Sequence, residues 1–200
     1  MTLRRADRDL PGLTVLALLL TGPRHTYEMH RMMIDTHKDF VTGLPRSMYH
    51  SVERLLRDEL IGIADTIRDG TRPERIVYAL TAAGRVELVA RVQRLLATPD
   101  ADATLLVAAL SFVGCLAPAD AATALQARHD ALATSAVAME RTLAETPVPR
   151  VVLLEVECEL ARVSAERDWV ASVVAELTDG RLSWPADLAD LMTPEVAPPE

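Results

Sequence analysis

Arg46, Ser47, Tyr49 and His50 fall within five residues directly after Pro45, and Arg54 follows two turns of helix after the first of them. A guanidinium, a hydroxyl, a phenol and an imidazole at this density are groups that bind phosphate and the edges of bases. A second set, Arg68, Arg72 and Arg75, brackets the turn residues Asp69, Gly70, Thr71 and Pro73. A cationic loop tip has no packing reason to exist, so these three arginines read as functional. No nucleophile elbow, phosphate loop, paired carboxylates or metal motif accompanies them, and an enzyme is not indicated. His25, His30 and His37 are five and seven residues apart, which does not place all three on one helical face, so neither a metal nor another cofactor is expected.

The elements that must hold these groups follow from hydrophobic period. Residues 10–21 are apolar all round, the mark of a helix buried on several sides. Thr21-Gly22-Pro23 ends it, and a second helix runs from Thr26 to about His37, with Tyr27, His30 or Met29, and Met33 or Ile34 at core spacing. Pro45 suits the first turn of a third helix, in which Met48, Val52, Leu55 and Leu56 form one stripe and the polar groups named above point outward. After Leu60 the period drops to about two. Ile61 and Ile63, then Ile76, Tyr78 and Leu80, predict a β-hairpin with Arg68, Arg72 and Arg75 at its tip. Thr81 caps a further helix to about Ala97.

Beyond residue 100 only helices are expected. Thr104 to Leu116 is strongly apolar, and Pro118 opens a long helix in which Leu125, His129, Leu132, Ala136, Met139 and Leu143 step by three and four. The last helix repeats that spacing through Leu153, Val156, Leu160, Val163, Arg167, Val170, Val174 and Leu177. Such a seam needs a facing helix, from the antiparallel neighbour or from a second copy of the chain. Leu13, Leu16, Leu125, Leu132, Met139, Leu153, Val156, Leu160, Val163 and Val170 are the candidate dimer-interface residues. His129 reads as an interior imidazole, and Arg167 as a register-fixing partner of an acidic neighbour. Trp169 and Cys115 are candidates for an effector pocket, while a Trp closing the end of the helical bundle is the plainer role.

The chain has 200 residues and 21.8 kDa, half of it apolar and a quarter charged, enough for a core without disulfides or structural metals. Its formal net charge of −8 argues against nucleic acid only as a total. Residues 1–94 carry 15 of the 21 basic and 12 of the 29 acidic side chains, a balance of +3, while the remaining 106 residues carry 6 and 17, a balance of −11. Cys115 and Cys158 share no short spacing, which fits a reducing cytoplasm. The apolar run near the start ends at Leu20 without a small-residue cleavage site and is too short to span a membrane.

Three short helices followed by a basic hairpin is the order of a winged helix-turn-helix, in which a helix enters the major groove and the wing lies along the backbone. The stretches VLALLLTGPRHTYEMHRMM, LPRSMYHSVERLLRDELI and RIVYALTAAGR resemble the PadR family of transcriptional regulators across about residues 10–90. The acidic helical remainder resembles the longer C-terminal dimerisation region of some members, with Glu166 to Trp169 reading E-R-D-W. The resemblance implies that Tyr27 touches phosphate, that Ser47 and Tyr49 anchor the recognition helix, and that the wing arginines grip the backbone. Four positions depart from the family pattern: Thr26 and Glu59 stand where glycine is usual, Arg46 where glycine often precedes the serine, and His50 in place of a common proline.

The expected protein is therefore mainly α: a winged helix-turn-helix over 1–97, an all-α, coiled-coil-like dimerisation domain over 98–193, and a disordered tail over 194–200. Its expected partners are an operator in double-stranded DNA, a second copy of the chain and a small-molecule effector, with no membrane. Its expected role is that of a repressor acting as a homodimer on a pseudo-palindromic site. The alternatives are a metal- or redox-responsive regulator on the same scaffold and a winged-helix protein-interaction module.

Overall fold

The computed structural model describes residues 2–36, 46–67 and 75–184, with Arg46 and Ile67 described by backbone alone. Helix α1 (Leu10–Leu19) starts where the Asp9 side chain accepts from the Gly12 N–H at 3.2 Å, and its residues from Gly12 to Leu19 are all buried. It forms the centre of the core, as its unbroken apolar surface requires. After Gly22 the chain makes a two-residue strand, β1 (Arg24–His25), too short to leave an alternating pattern in the sequence.

Helix α2 (Thr26–Asp35) is capped by a histidine: His25 Nδ1 accepts from the Glu28 N–H at 3.4 Å, and the Glu28 carboxylate accepts from the His25 N–H at 3.2 Å. Met29 and Met33 are its buried stripe. Of the expected alternatives Met29 and Met33 are the buried ones, while Tyr27 is exposed, which corrects its expected core spacing. Helix α3 (Arg46–Arg57) buries Met48, Ser51, Val52 and Leu55. It closes in a Schellman motif, with the Leu60 N–H on the Leu55 carbonyl at 2.9 Å and the Glu59 N–H on the Leu56 carbonyl at 3.1 Å. That motif puts Glu59 in the left-handed region, φ 57°.

Strands β2 (Ile61–Ile67) and β3 (Arg75–Leu80) pair antiparallel, with an irregularity between Ile63 and Asp65, and β1 adds to the outer side of β3 through Arg24 opposite Tyr78 and His25 opposite Val77. The hairpin is thus a three-stranded sheet. Helix α4 (Ala82–Ala97) begins where the Thr81 hydroxyl accepts from the Gly84 N–H at 2.9 Å. The same hydroxyl lies 2.9 Å from the Leu60 carbonyl, so one residue ties the end of the sheet to the end of α3. Gly84 is required there, because a Cβ would run into the Leu60 carbonyl oxygen.

Helix α5 (Ala103–Ser111), a short 3-10 turn at Val113–Cys115, helix α6 (Pro118–Glu145), a second 3-10 turn at Arg150–Leu153 and helix α7 (Leu154–Thr178) complete the described chain. The fold is mainly helical with the winged helix-turn-helix order expected from sequence. Among the described residues no helix is long and apolar enough to cross a membrane. One continuous core runs from Leu10 through α4, α5 and α6 to Leu177, without a break at Ala97. A smaller cluster of Leu132, Ala136 and Val163, flanked by Met139 and Leu160, seals the outer part of the α6–α7 hairpin.

The seam therefore closes within one chain, and the dimer-interface expectation changes. Leu13, Leu16, Leu125, Leu132, Val163 and Val170 are buried in the single chain and have no surface to offer a partner. Met139, Leu153, Val156 and Leu160 remain partly exposed. The inward position of α6 next to Leu125 is Arg128, 2% exposed, and His129 sits half-buried beside Gln126 and Asp130 instead of in the interior. Arg167 pairs with its own neighbour Asp168 at 2.8 Å, a contact that sets no register between helices.

Candidate nucleic-acid interface

Helical geometry places Arg46, His50, Glu53 and Arg57 in one line along α3, opposite the buried Met48, Val52 and Leu55. His50, Glu53 and Arg57 are exposed, and Tyr49, 53% exposed, flanks the line. Ser47 is half-buried on the first turn. Beside α3 lies a groove of about 460 Å³ lined by His25, Thr26, Tyr27, Tyr49, Arg75, Ile76 and Tyr78. Three residues singled out in the sequence, Tyr27, Tyr49 and Arg75, thus meet in one place although they come from α2, α3 and β3. Arg68 and Arg72 lie outside the described residues, as does the side chain of Arg46.

The groove is held open by local bonding. Strand β1 pulls the start of α2 against β3, so the His25 cap and Tyr27 face the wing side of α3. The two rings stack with centroids 6.1 Å apart and an interplanar angle of 24°. Tyr27 is nonetheless 66% exposed, since His25 covers only one face of it. Burial, followed by the nearby Tyr49 and Glu53, pushes the Tyr78 phenol above its ordinary range, so it remains a protonated hydrogen-bond donor at neutral pH. His25, Ile76, Tyr78 and Glu53 were not among the sequence candidates. A histidine is outside the usual capping set, and the β1–β3 pairing that makes it part of the groove joins residues more than fifty positions apart.

Arg54 is a different case from its neighbours on α3. Its guanidinium binds the Asp9 carboxylate, the cap of α1, and reaches the Ser51 hydroxyl at 3.2 Å. This corrects its expected place among the DNA contacts: it locks α3 onto α1. Other basic residues of the first 94 are engaged in the same way. Arg94 grips the fully buried Asp7 through Nε at 2.9 Å and Nη2 at 2.7 Å, Arg91 binds Glu87 at 2.8 Å, Arg4 joins both carboxylates, and Arg8 binds Asp100. Much of the +3 balance is thus spent straddling the amino-terminal segment onto α4, on a part of the molecule away from α3.

A second cavity, about 220 Å³, lies between the end of α1, the end of α5 and the segment after α7, lined mainly by Ala17, Leu20, Leu110, Phe112, Cys115 and Trp184. The Trp184 indole donates to the Leu116 carbonyl at 2.8 Å. Cys115 lines this cavity together with Trp184, whereas Trp169, 44% exposed on α7, does not line it. Burial pushes the Cys115 thiol up to about 12, which keeps it protonated. Among the described residues no group of three histidine, cysteine or acidic side chains is disposed to hold a metal ion.

Residues 15–90 match the model of the transcriptional regulator PadR-like family, the segment that contains α3, the groove and the wing. The resemblance read from the sequence is therefore found independently over that segment. No curated protein matches the chain. Among solved structures, Bacillus subtilis PadR in complex with operator DNA is 19% identical, with a TM-score of 0.40 and coverage of 83% of this chain and 98% of that one. A Streptococcus mutans UA159 protein is 17% identical, with a TM-score of 0.38 and coverage of 82% of this chain and 98% of the other.

Proposed function

We infer from the PadR-like match over residues 15–90 that the chain is a DNA-binding transcriptional regulator whose α3 enters the major groove. The observation that carries this reading is the single surface formed by the outer line of α3 and the Tyr27–Tyr49–Arg75 groove. That surface combines hydrogen-bonding side chains on α3 with a cation and phenols beside it, the group types that contact base edges and phosphates. Tyr27, Ser47, Tyr49, His50 and Arg75, with Arg46, Arg68 and Arg72 from beyond the described side chains, are the proposed contacts. A net charge of −8 does not oppose this, because local cations govern the interface while the acidic helices repel DNA from the wrong face.

The proposed assembly is a homodimer that binds a pseudo-palindromic operator and acts as a repressor in the cytoplasm. Support for the dimer comes from the free end of the α6–α7 hairpin, where Val148, Val151, Val152 and Leu154 are exposed and Leu153 and Val156 are partly so. A small apolar effector is proposed for the Cys115–Trp184 cavity, because that cavity touches the end of α1, the helix against which α3 is locked. A redox-responsive version would have to use the exposed Cys158, because burial keeps the Cys115 thiol protonated.

The test is selection of bound fragments from the source genome. Recovery of discrete fragments sharing an inverted repeat supports the reading, and recovery at random genomic frequency overturns it. Sedimentation at twice the 21.8 kDa chain mass supports the dimer, and monomer mass at micromolar concentration removes it.

A further inference from the structure

The outer line of α3 contains a group that a surface built only for phosphate would exclude. Glu53 is exposed at its centre, one turn after His50, with His50 Nδ1 3.7 Å from Glu53 Oε2 and the His50 ring itself exposed. Among the described residues the ion-pair partner of Glu53 is His50, whereas Arg54, its neighbour in sequence, is committed to Asp9. A carboxylate in the middle of a helix face that meets a polyanion is repelled by every phosphate. It is favourable only opposite a base-edge donor, since the major groove presents amino hydrogens from cytosine N4 and adenine N6 there.

We propose that His50 and Glu53 read one G·C base pair, Glu53 accepting from the cytosine N4 amino group and His50 donating through a ring N–H to guanine O6 or N7. This deepens the reading of α3 as the recognition helix and rests on it. The pairing follows from the groove pattern. In a G·C pair the purine presents two adjacent acceptors and the pyrimidine a single donor, so an imidazole donor and a carboxylate acceptor side by side complement it. An A·T pair also sets an acceptor, adenine N7, beside a donor, adenine N6, but it offers the imidazole one purine acceptor where guanine offers two, and its thymine end adds a methyl group that a carboxylate does not favour. Tyr49, on the flank toward the groove, and Arg57, one turn further on, are placed to hold the backbone on either side and carry no base information in this scheme.

The test is enrichment from a randomised duplex library with the full-length wild-type chain, Glu53→Gln and His50→Ala. Both residues are exposed on a formed helix, and unchanged helicity and melting temperature establish that the variants are folded. The wild type is expected to enrich a motif with one G·C position that His50→Ala relaxes. Glu53→Gln is expected to move the same position toward adenine, because an amide binds adenine N6 and N7 together, with a change in base preference of about tenfold. Identical motifs from all three chains overturn the proposal while leaving α3 as the recognition helix. An A·T pair at the responding position also overturns it. If the wild type enriches no motif, the DNA reading itself falls and this inference with it.

Discussion

Arg128 on α6 and Glu166 on α7 form an ion pair at 2.6 Å, and the other arm of the same guanidinium donates to the carbonyls of Leu95, Leu96 and Thr98 at 3.0, 3.3 and 2.9 Å. Those carbonyls end α4, where no helical N–H follows to satisfy them. Arg128 thus caps the helix that leaves the winged region, neutralises the negative end of its dipole and binds both long helices to it. The contact sits where the continuous core passes Ala97.

Arg128→Met is expected to cost about 3–5 kcal/mol, since it leaves the carbonyls of Leu95 and Leu96 buried without a donor, frees that of Thr98 and leaves Glu166 with Arg162 alone. Glu166→Gln keeps the shape and a weaker hydrogen bond, and should cost about 1–2 kcal/mol. Urea unfolding of both variants checks the ranking. Equal, small losses would show that water replaces the guanidinium.

Glu59 marks a site where the chain lacks the residue its backbone favours. With φ at 57°, a side chain strains the turn that ends α3. Glu59→Gly should raise stability by about 0.5–1 kcal/mol, the relief of left-handed strain less the added chain entropy. Calorimetry reads this as a rise in Tm. Gly84→Ala should act in the opposite direction, because the new methyl meets the Leu60 carbonyl, which is backbone and cannot turn aside.

Arg75 and Arg54 carry the same charge and should behave differently. Arg75→Ala is expected to weaken DNA binding and reduce the slope of log K against log salt by about 1, as one phosphate contact disappears. Arg54→Ala should leave that slope unchanged and lower stability by about 1 kcal/mol, a modest figure because the pair with Asp9 is partly open to solvent. Anisotropy titrations at several salt concentrations, with thermal melts, separate the two.

Cys115 and Cys158 should differ in reactivity. The buried thiol, raised to about 12 from an ordinary value near 9, is protonated through the neutral range, while Cys158 is exposed. Iodoacetamide at pH 8 should label Cys158 alone in the folded chain and both after unfolding. The raised value also sets the sign of a stability effect. The folded chain holds this proton more tightly than the unfolded one, so its contribution is complete below pH 9 and declines as the pH rises toward 12.

Local pattern was sufficient for most elements. The all-round apolar run of α1, the Met48–Val52–Leu55 stripe of α3, the hairpin alternation and the cap at Thr81 depend on neighbours within a few residues, and each is visible in the sequence as it stands in the structure. The candidate site was legible in part. Tyr27, Tyr49 and Arg75 were identifiable by type, but their meeting in one groove required β1 to pair with β3, a contact with no local signature.

By itself the sequence determined the helical class, the winged order and the residue types on the outer face of α3, because period, capping and turn chemistry act over short distances. Only the tertiary structure decided how the charges and the seams are used. Two guanidiniums of equal charge part company when one finds Asp9 and the other faces the groove. A three-four seam is satisfied as well by a helix of the same chain as by a second copy, and here the α6–α7 hairpin supplies it. Whether Arg128 or His129 points inward depends on what waits on the other side, and the unsatisfied carbonyls of α4 select the arginine.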